Sequence, residues 1–180
     1  RDELEKNLIF SGFVIADTPL KYNVDKYINE LINAKYNICI ITGDHLLTTI
    51  KVAKDLKIGP KKFITLKIEE NKIKCYDMNN IFVKEIKSFE EVKYLSDEYT
   101  LSITGDEYKS LCSIKNIPDL YKINQHIKIF CRFSQTQKRE IMNNLIKCGK
   151  NPSMCGDCSN DVGALRLATI GVVILNIKDL

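Results

Sequence analysis

No stretch of this chain approaches the run of about eighteen apolar residues that a membrane-spanning helix needs, so these residues are not expected to be embedded in a bilayer. Heptads, low-complexity tracts and long repeats are missing too, which excludes coiled coils, solenoids and tail-like linkers. Histidine is scarce, with two in 180 residues, and both His45 and His126 are isolated. The seven cysteines follow no framework spacing. Cys155 and Cys158 form a C-x-x-C in "MCGDCSND", but structural zinc needs a second ligand pair, and the sequence offers none. A redox C-x-x-C wants a helix directly after its first cysteine, whereas here an Asp and a Ser-Asn-Asp turn intervene. Thiols buried in a reducing compartment are the expected use. Charge of one sign is also lacking. The formal net charge is +4, with Lys and Glu interleaved, well short of the basic stripe of a nucleic-acid surface.

What is present describes a folded domain. Apolar residues make up 44% and charged residues 28% of the chain, enough for a core and too balanced for disorder. The length suits one α/β domain, or one domain with a small insertion. The chain opens at Arg1 rather than Met, with no basic-then-apolar leader, and is expected to be a piece of a longer protein.

The apolar spacing switches repeatedly between two periods. "LIFSGFVIA" (8–16) is expected to form a strand, "VDKYINELINA" (24–34) a helix, "NICIIT" (37–42) a strand and "LLTTIKVAKDL" (46–56) a helix. Such alternation predicts a parallel sheet with covering helices. Residues 60–126 break the rhythm with a β-like meander, then one more strand and two short helices. Alternation resumes with strand "HIKIFCRF" (126–133) and helix "TQKREIMNNLIKCG" (136–149), ended by Gly149. Strand "SMCGD" (153–157), helix "DVGALRLA" (161–168) and strand "IGVVIL" (170–175) follow.

The strongest chemical signal is "CGDCSNDVGAL". A strand delivers Asp157 at its C-terminal end, and Asp161 opens a helix four residues later, with Asn160 between. The carboxyl ends of parallel strands are where such sheets bind ligands. Two carboxylates and an amide there suit Mg²⁺, although the same residues could simply cap a helix. Lys138, in the first turn of the preceding helix, can reach the same sheet edge and neutralise a phosphoryl group. Alone it would be one more lysine on a solvated face. A third element is the tetrapeptide ITGD, which occurs twice, in "NICIITGDHLLTTI" (37–50) and "TLSITGDEYKSL" (100–111). A strand ending at Thr42 presents a hydroxyl and backbone amides at a helix N-terminus, where anions bind. Together these make a phosphoryl-transfer site with everything except a nucleophile: no strand-end Asp-Lys-Thr-Gly or D-x-D is found.

The run "PLK…ITGD…S-x-x-QK…GD-x-SNDVGAL" resembles the phosphorylation domain of P-type ATPases, in the haloacid-dehalogenase-like superfamily, over nearly the whole chain. "NDVGAL", "PLK" and the long insert are most similar to the fifth class of these pumps, in its endoplasmic-reticulum branch. The resemblance implies a three-layer Rossmann-like α/β fold with a mostly parallel sheet, split into residues 1–59, a class-specific insertion at 60–126 and residues 127–180. It implies that Thr42 and Gly43 bind the phosphoryl group and Lys138 neutralises it. Asp157 would ligate Mg²⁺, with Asn160 and Asp161 completing the cluster. Arg132 and Asp44 would lie near ATP. The phosphorylated Asp belongs to a DKTGT motif absent from these residues, so this piece alone is expected to be inactive. Implied partners are ATP and the nucleotide-binding, actuator and membrane domains of the same polypeptide, with no nucleic acid. The implied home is the cytosolic side of the endoplasmic reticulum membrane, and the cargo a cation or a transmembrane helix.

Three departures stand out. Cys158 occupies a position the family fills with Gly, Gln135 one that it fills with Pro, and Asp17 sits one residue early in "ADTPLK". Position in the chain assigns chemistry to the first ITGD and a plain turn to the second. Two other functions compete: a soluble haloacid-dehalogenase-like phosphatase with its own nucleophile, and a metal-binding module built on the C-x-x-C.

Overall fold

The computed structural model describes residues 9–15, 19–60, 62–114, 120–157 and 159–175, the side chain of Leu120 aside. Its strands are β1 (Ile40–Ile41), β2 (Lys62–Glu69), β3 (Lys72–Tyr76), β4 (Phe82–Ile86), β5 (Tyr99–Thr104), β6 (Ile127–Cys131), β7 (Ser153–Gly156) and β8 (Ile170–Val173). The helices are α1 (Val24–Asn33), α2 (Leu46–Asp55), α3 (Phe89–Glu98), α4 (Gly105–Ser113), α5 (Leu120–Asn124), α6 (Gln135–Lys147) and α7 (Val162–Leu167). The fold is the mixed α/β arrangement that the alternating periods predict.

One sheet runs in the order β1-β6-β5-β2-β3-β4, and β7 pairs with β8 in a second. The contacts β1–β6, β6–β5, β5–β2 and β7–β8 are parallel. The contacts β2–β3 and β3–β4 are antiparallel, so in the larger sheet β3 alone runs against the other described strands. The meander of residues 60–126 thus shares its sheet with β1 and β6, because β2 and β5 pair with each other and β5 with β6.

Period two decides which side chains face which layer. In β2 and β5, Ile64, Leu66, Leu101 and Ile103 enter a core covered by α3 to α7, joined by Tyr108, Leu111, Ile141 and Met142. Their neighbours turn to the other face. There Phe63, Ile129 and Cys131 pack with Ile50 and Ala53 of α2 and with Leu56 just after it, and Val24 and Ile28 of α1 lie against them. On that face Thr65 and Ser102 are buried, and their hydroxyls satisfy each other at 3.0 Å. Tyr108, wholly buried, accepts hydrogen bonds from the amides of Asn124 (3.1 Å) and Asn144 (2.8 Å), tying α4 to α5 and α6.

Some expectations change. Residues 9–15 form no strand; Ile9, Phe10, Phe13, Val14 and Ile15 are exposed, since a β-run becomes a strand only where a ladder partner exists. The helix α3 was not read from the sequence; Ser88 caps it by accepting from the Glu91 N–H. Burial also fails as a general description of the thiols. Cys75 and Cys131 are buried, and desolvation pushes their thiols up to about 12 and about 11. Cys112 and Cys155 are exposed, because each lies on the outward side of its element. Asp17 and Cys158 lie outside the described residues.

Candidate functional site

The candidate residues fall at the ends of β1 and β6 in one sheet and of β7 in the other. β7 carries Met154 and Gly156 on its buried side and leaves Cys155 and Asp157 exposed. After a short 3-10 turn, Ser159–Asp161, the chain enters α7 with Asp161 at the N-cap position. Asp161 folds back over β7. A Cβ at Gly156 would lie 2.7 Å from both the Cβ and Oδ2 of Asp161, so only glycine leaves room for the carboxylate there.

The partner of that carboxylate comes from α6. Lys138 is the fourth residue of the helix, one residue beyond a capping box in which Ser134 and Gln137 satisfy each other's backbone N–H. Its Nζ donates to Asp161 Oδ1 at 2.7 Å, and both side chains are about nine-tenths buried (11% and 10% exposed). A charge pair so far out of water is maintained by its geometry, and neither charge could remain there alone at small cost. Asn160 is tied to the same helix from outside, its Oδ1 accepting from Gln135 Nε2 at 2.5 Å. Gln135 occupies the first helical position, where proline is favoured, and uses its side chain for this second link.

The first ITGD closes β1. The hydroxyl of Thr42 accepts from the Asp44 N–H at 3.1 Å, folding a tight turn before His45 caps α2 by accepting from the Leu47 N–H. Gly43 and Asp44 are exposed, and a Cβ at Gly43 would meet nothing within 4 Å. This turn is fastened to the loop after β6. The Arg132 N–H donates to the Asp44 carbonyl, and the Phe133 N–H to the Thr42 carbonyl, both at 3.0 Å. Arg132 has φ of +54°, a left-handed conformation that costs a non-glycine residue on the order of 1–3 kcal/mol. The two backbone bonds hold it there, with its side chain exposed.

The described contacts therefore join Lys138 to Asp161, Asn160 to the start of α6, and Thr42 and Asp44 to Arg132 and Phe133. Asp157 stands exposed at the end of β7, outside these hydrogen bonds. Sequence reasoning gave no role to two residues: Gly156, the seat of Asp161, and Gln137, whose S-x-x-Q spacing after Ser134 is a capping-box signal.

The second ITGD builds a different object. The Thr104 hydroxyl accepts from the Glu107 N–H at 3.3 Å and starts α4 directly, with Gly105 buried. Thr104→Ala should cost about 1 kcal/mol of helix capping. It should leave the Thr42 turn in place, because that turn is fastened to Arg132 and Phe133 by backbone bonds that do not involve Thr104.

No protein-family model matches the chain. It is 34% identical over 185 residues to the "Endoplasmic reticulum transmembrane helix translocase" of Schizosaccharomyces pombe, covering 99% of this chain and 15% of that protein. The protein of the same name in Saccharomyces cerevisiae is 33% identical over 184 residues, covering 98% of this chain and 15% of its own length. A "Probable manganese-transporting ATPase" of Arabidopsis thaliana is 31% identical over 182 residues, with coverage of 99% and 15%. The chain spans about 15% of the length of these relatives. Among solved structures, a catalytic domain of the CPx-ATPase CopB-B aligns at 22% identity over 63% of this chain and 48% of that one. The TM-score of that alignment is 0.25.

Proposed function

The chain belongs to the P-type ATPase family, and from that premise we propose that it is the phosphate-handling part of an ATP-driven membrane transporter that cycles through an aspartyl-phosphate. The observation that carries the proposal is the buried Lys138–Asp161 pair seated on Gly156. A buried ammonium held at a sheet edge is a preorganised counter-charge for a phosphoryl group, in a place where water screens little. The Thr42 turn adds a hydroxyl and the exposed backbone of Gly43 near the N-terminus of a ten-residue helix, the Asp44 N–H being held by that hydroxyl. The open space beside Gly43 leaves room for an anion. Arg132, exposed and clamped beside Asp44, is the residue best placed to meet the nucleotide.

Mg²⁺ fits the donors this chain offers. Asp157 is an exposed carboxylate, and Asp161 spends Oδ1 on Lys138, with Asn160 alongside. Mg²⁺ is commonly held by one or two carboxylates, with waters and substrate phosphates supplying the rest. Asp157 would be its chief protein ligand. When bound, the ion offsets the negative charge of the transferring group. The chain's own task is positional: Asp161 fixes the direction of Lys138, and the Arg132–Phe133 bonds fix the Thr42 turn against the loop that leads into α6.

The phosphorylated Asp lies outside these residues, on a strand that would pair along the free edge of β1 or β7, each of which has a single partner strand among the described residues. Two relatives are named as endoplasmic reticulum helix translocases. Their names support a transmembrane helix as the cargo and that membrane as the location, with these residues on its cytosolic side. A cation is the alternative cargo, as named for the Arabidopsis relative. Among the described residues no helix is long and apolar enough to cross a membrane.

The test is to incubate the full-length protein with Mg²⁺ and ATP labelled on its terminal phosphate. A label on protein that survives acid and is released by hydroxylamine is the expected result. A protein that hydrolyses ATP without ever carrying such a label is not this kind of pump.

A further inference from the structure

We propose that the second ITGD is a positioning element for the first, acting through Gly105 and Gln137 to set where Lys138 and Arg132 stand relative to Thr42. The proposal rests on the phosphoryl-transfer function proposed above. It begins from topology. β6 lies between β1 and β5, and each flanking strand ends in an ITGD. In register, Ile41 sits beside Phe130 and Thr104 beside Cys131, so both turns leave the sheet at the level where β6 ends. The loop Arg132–Ser134 emerges between them.

That loop is held from both sides. The first ITGD takes its N–H groups: Arg132 donates to Asp44 and Phe133 to Thr42, both at 3.0 Å. The second ITGD supports the other side. A Cβ at Gly105 would come within 2.4 Å of the Arg132 carbonyl oxygen and 2.8 Å of Gln137 Oε1, so the loop rests directly on the bare backbone of Gly105. Gln137, 6% exposed, fastens the seat. Its Nε2 donates to the Gly105 carbonyl at 2.6 Å, while its Oε1 accepts from the Ser134 N–H at 3.0 Å. One amide thus links the second turn to the N-terminus of α6, and Lys138 is the next residue along. Arg132 needs such support, since its φ of +54° is one that few arginines adopt unaided. The repeated tetrapeptide divides its labour accordingly. Gly43 faces open space, whereas Gly105 has protein packed against it.

Gln137→Glu separates this role from general folding. The carboxylate keeps the acceptor for Ser134 but presents no donor to the Gly105 carbonyl. In the full-length protein the rate of phosphoenzyme formation should fall roughly 10- to 100-fold at about pH 8, the scale expected from misplacing a catalytic group by about an ångström. As pH is lowered toward about 6, the ratio of variant to wild type should rise, because burial raises a carboxyl pKa and the neutral acid regains a donor. Gln137→Met, lacking both groups, should stay low at every pH. Gly105→Ala should also be slow, while Thr104→Ala matches wild type. Wild-type rates in Gln137→Glu, or a ratio that does not move with pH, would overturn the proposal. Gly105→Ala at wild-type rate would do the same, and if that variant does not fold, the Gln137→Glu pH profile decides. A wild-type protein that forms no phosphoenzyme defeats the underlying function instead, a different result from normal phosphorylation in every variant.

Discussion

Lys138→Met in the full-length protein should abolish measurable phosphoenzyme formation and also lower stability. The two losses have different origins. Methionine replaces the apolar stem of lysine but leaves the Asp161 carboxylate, 10% exposed, buried without its counter-charge. Removing one partner of a buried pair costs on the order of 3–5 kcal/mol, far more than the pair itself contributes. The catalytic loss comes from the missing ammonium, and removal of one preorganised electrostatic group typically costs about 100- to 1,000-fold in rate. Combining Lys138→Met with Asp161→Asn separates the two effects. The double variant no longer buries a lone charge, so its unfolding midpoint should recover most of the way toward wild type. Phosphorylation should remain absent. If the double variant regains both stability and phosphorylation, Lys138 serves the fold alone.

Asp157→Asn should show the opposite profile. Asp157 is exposed at the end of β7, and among the described residues none of the hydrogen bonds given above passes through it. Exchanging its carboxylate for an amide should therefore leave the thermal unfolding midpoint within the small range expected of surface changes. Phosphoenzyme formation should drop by about 100-fold or more, with the Mg²⁺ concentration needed for half-maximal labelling shifted upward, because Mg²⁺ prefers anionic oxygen donors. Phosphorylation at wild-type level and wild-type Mg²⁺ dependence would remove Asp157 from the site. The pair of variants also checks the geometry. One group is buried and should couple function to stability; the other is exposed and should not.

Much of the fold could be read from local pattern. α1, α2 and α6 lie within a residue or two of their periodic runs, and Gly149 ends α6 with φ of +72°, as a helix-stopping glycine should. These elements are legible because spacing at 3.6 residues needs no knowledge of neighbours. The strand expected at 8–16 is not formed over the described residues 9–15, for the converse reason. Its residues have the right composition, but a strand exists only when another strand pairs with it, and pairing is a long-range fact. β1 shows the same limit: six residues of β-rich sequence give two residues of ladder, since among the described residues β6 is its one partner and pairs with it at two positions.

The residues of the site belong to the same division. Their order along the chain singles out Thr42, Lys138, Asp157 and Asp161, since each alone reads as a turn, a cap or a solvated lysine and only the series resembles a phosphoryl-transfer motif set. Spacing alone cannot show that Lys138 spends its charge on Asp161, that Gly156 is small because Asp161 lies on it, or that Gly105 is small because Arg132 does. Those facts join residues 5, 23 and 27 positions apart in sequence (161 − 156, 161 − 138 and 132 − 105). Chemical identity is a property of each side chain and survives in a string of letters. Proximity is a property of how helices and strands pack, and two identical tetrapeptides acquire different surroundings only once β6 lies between them.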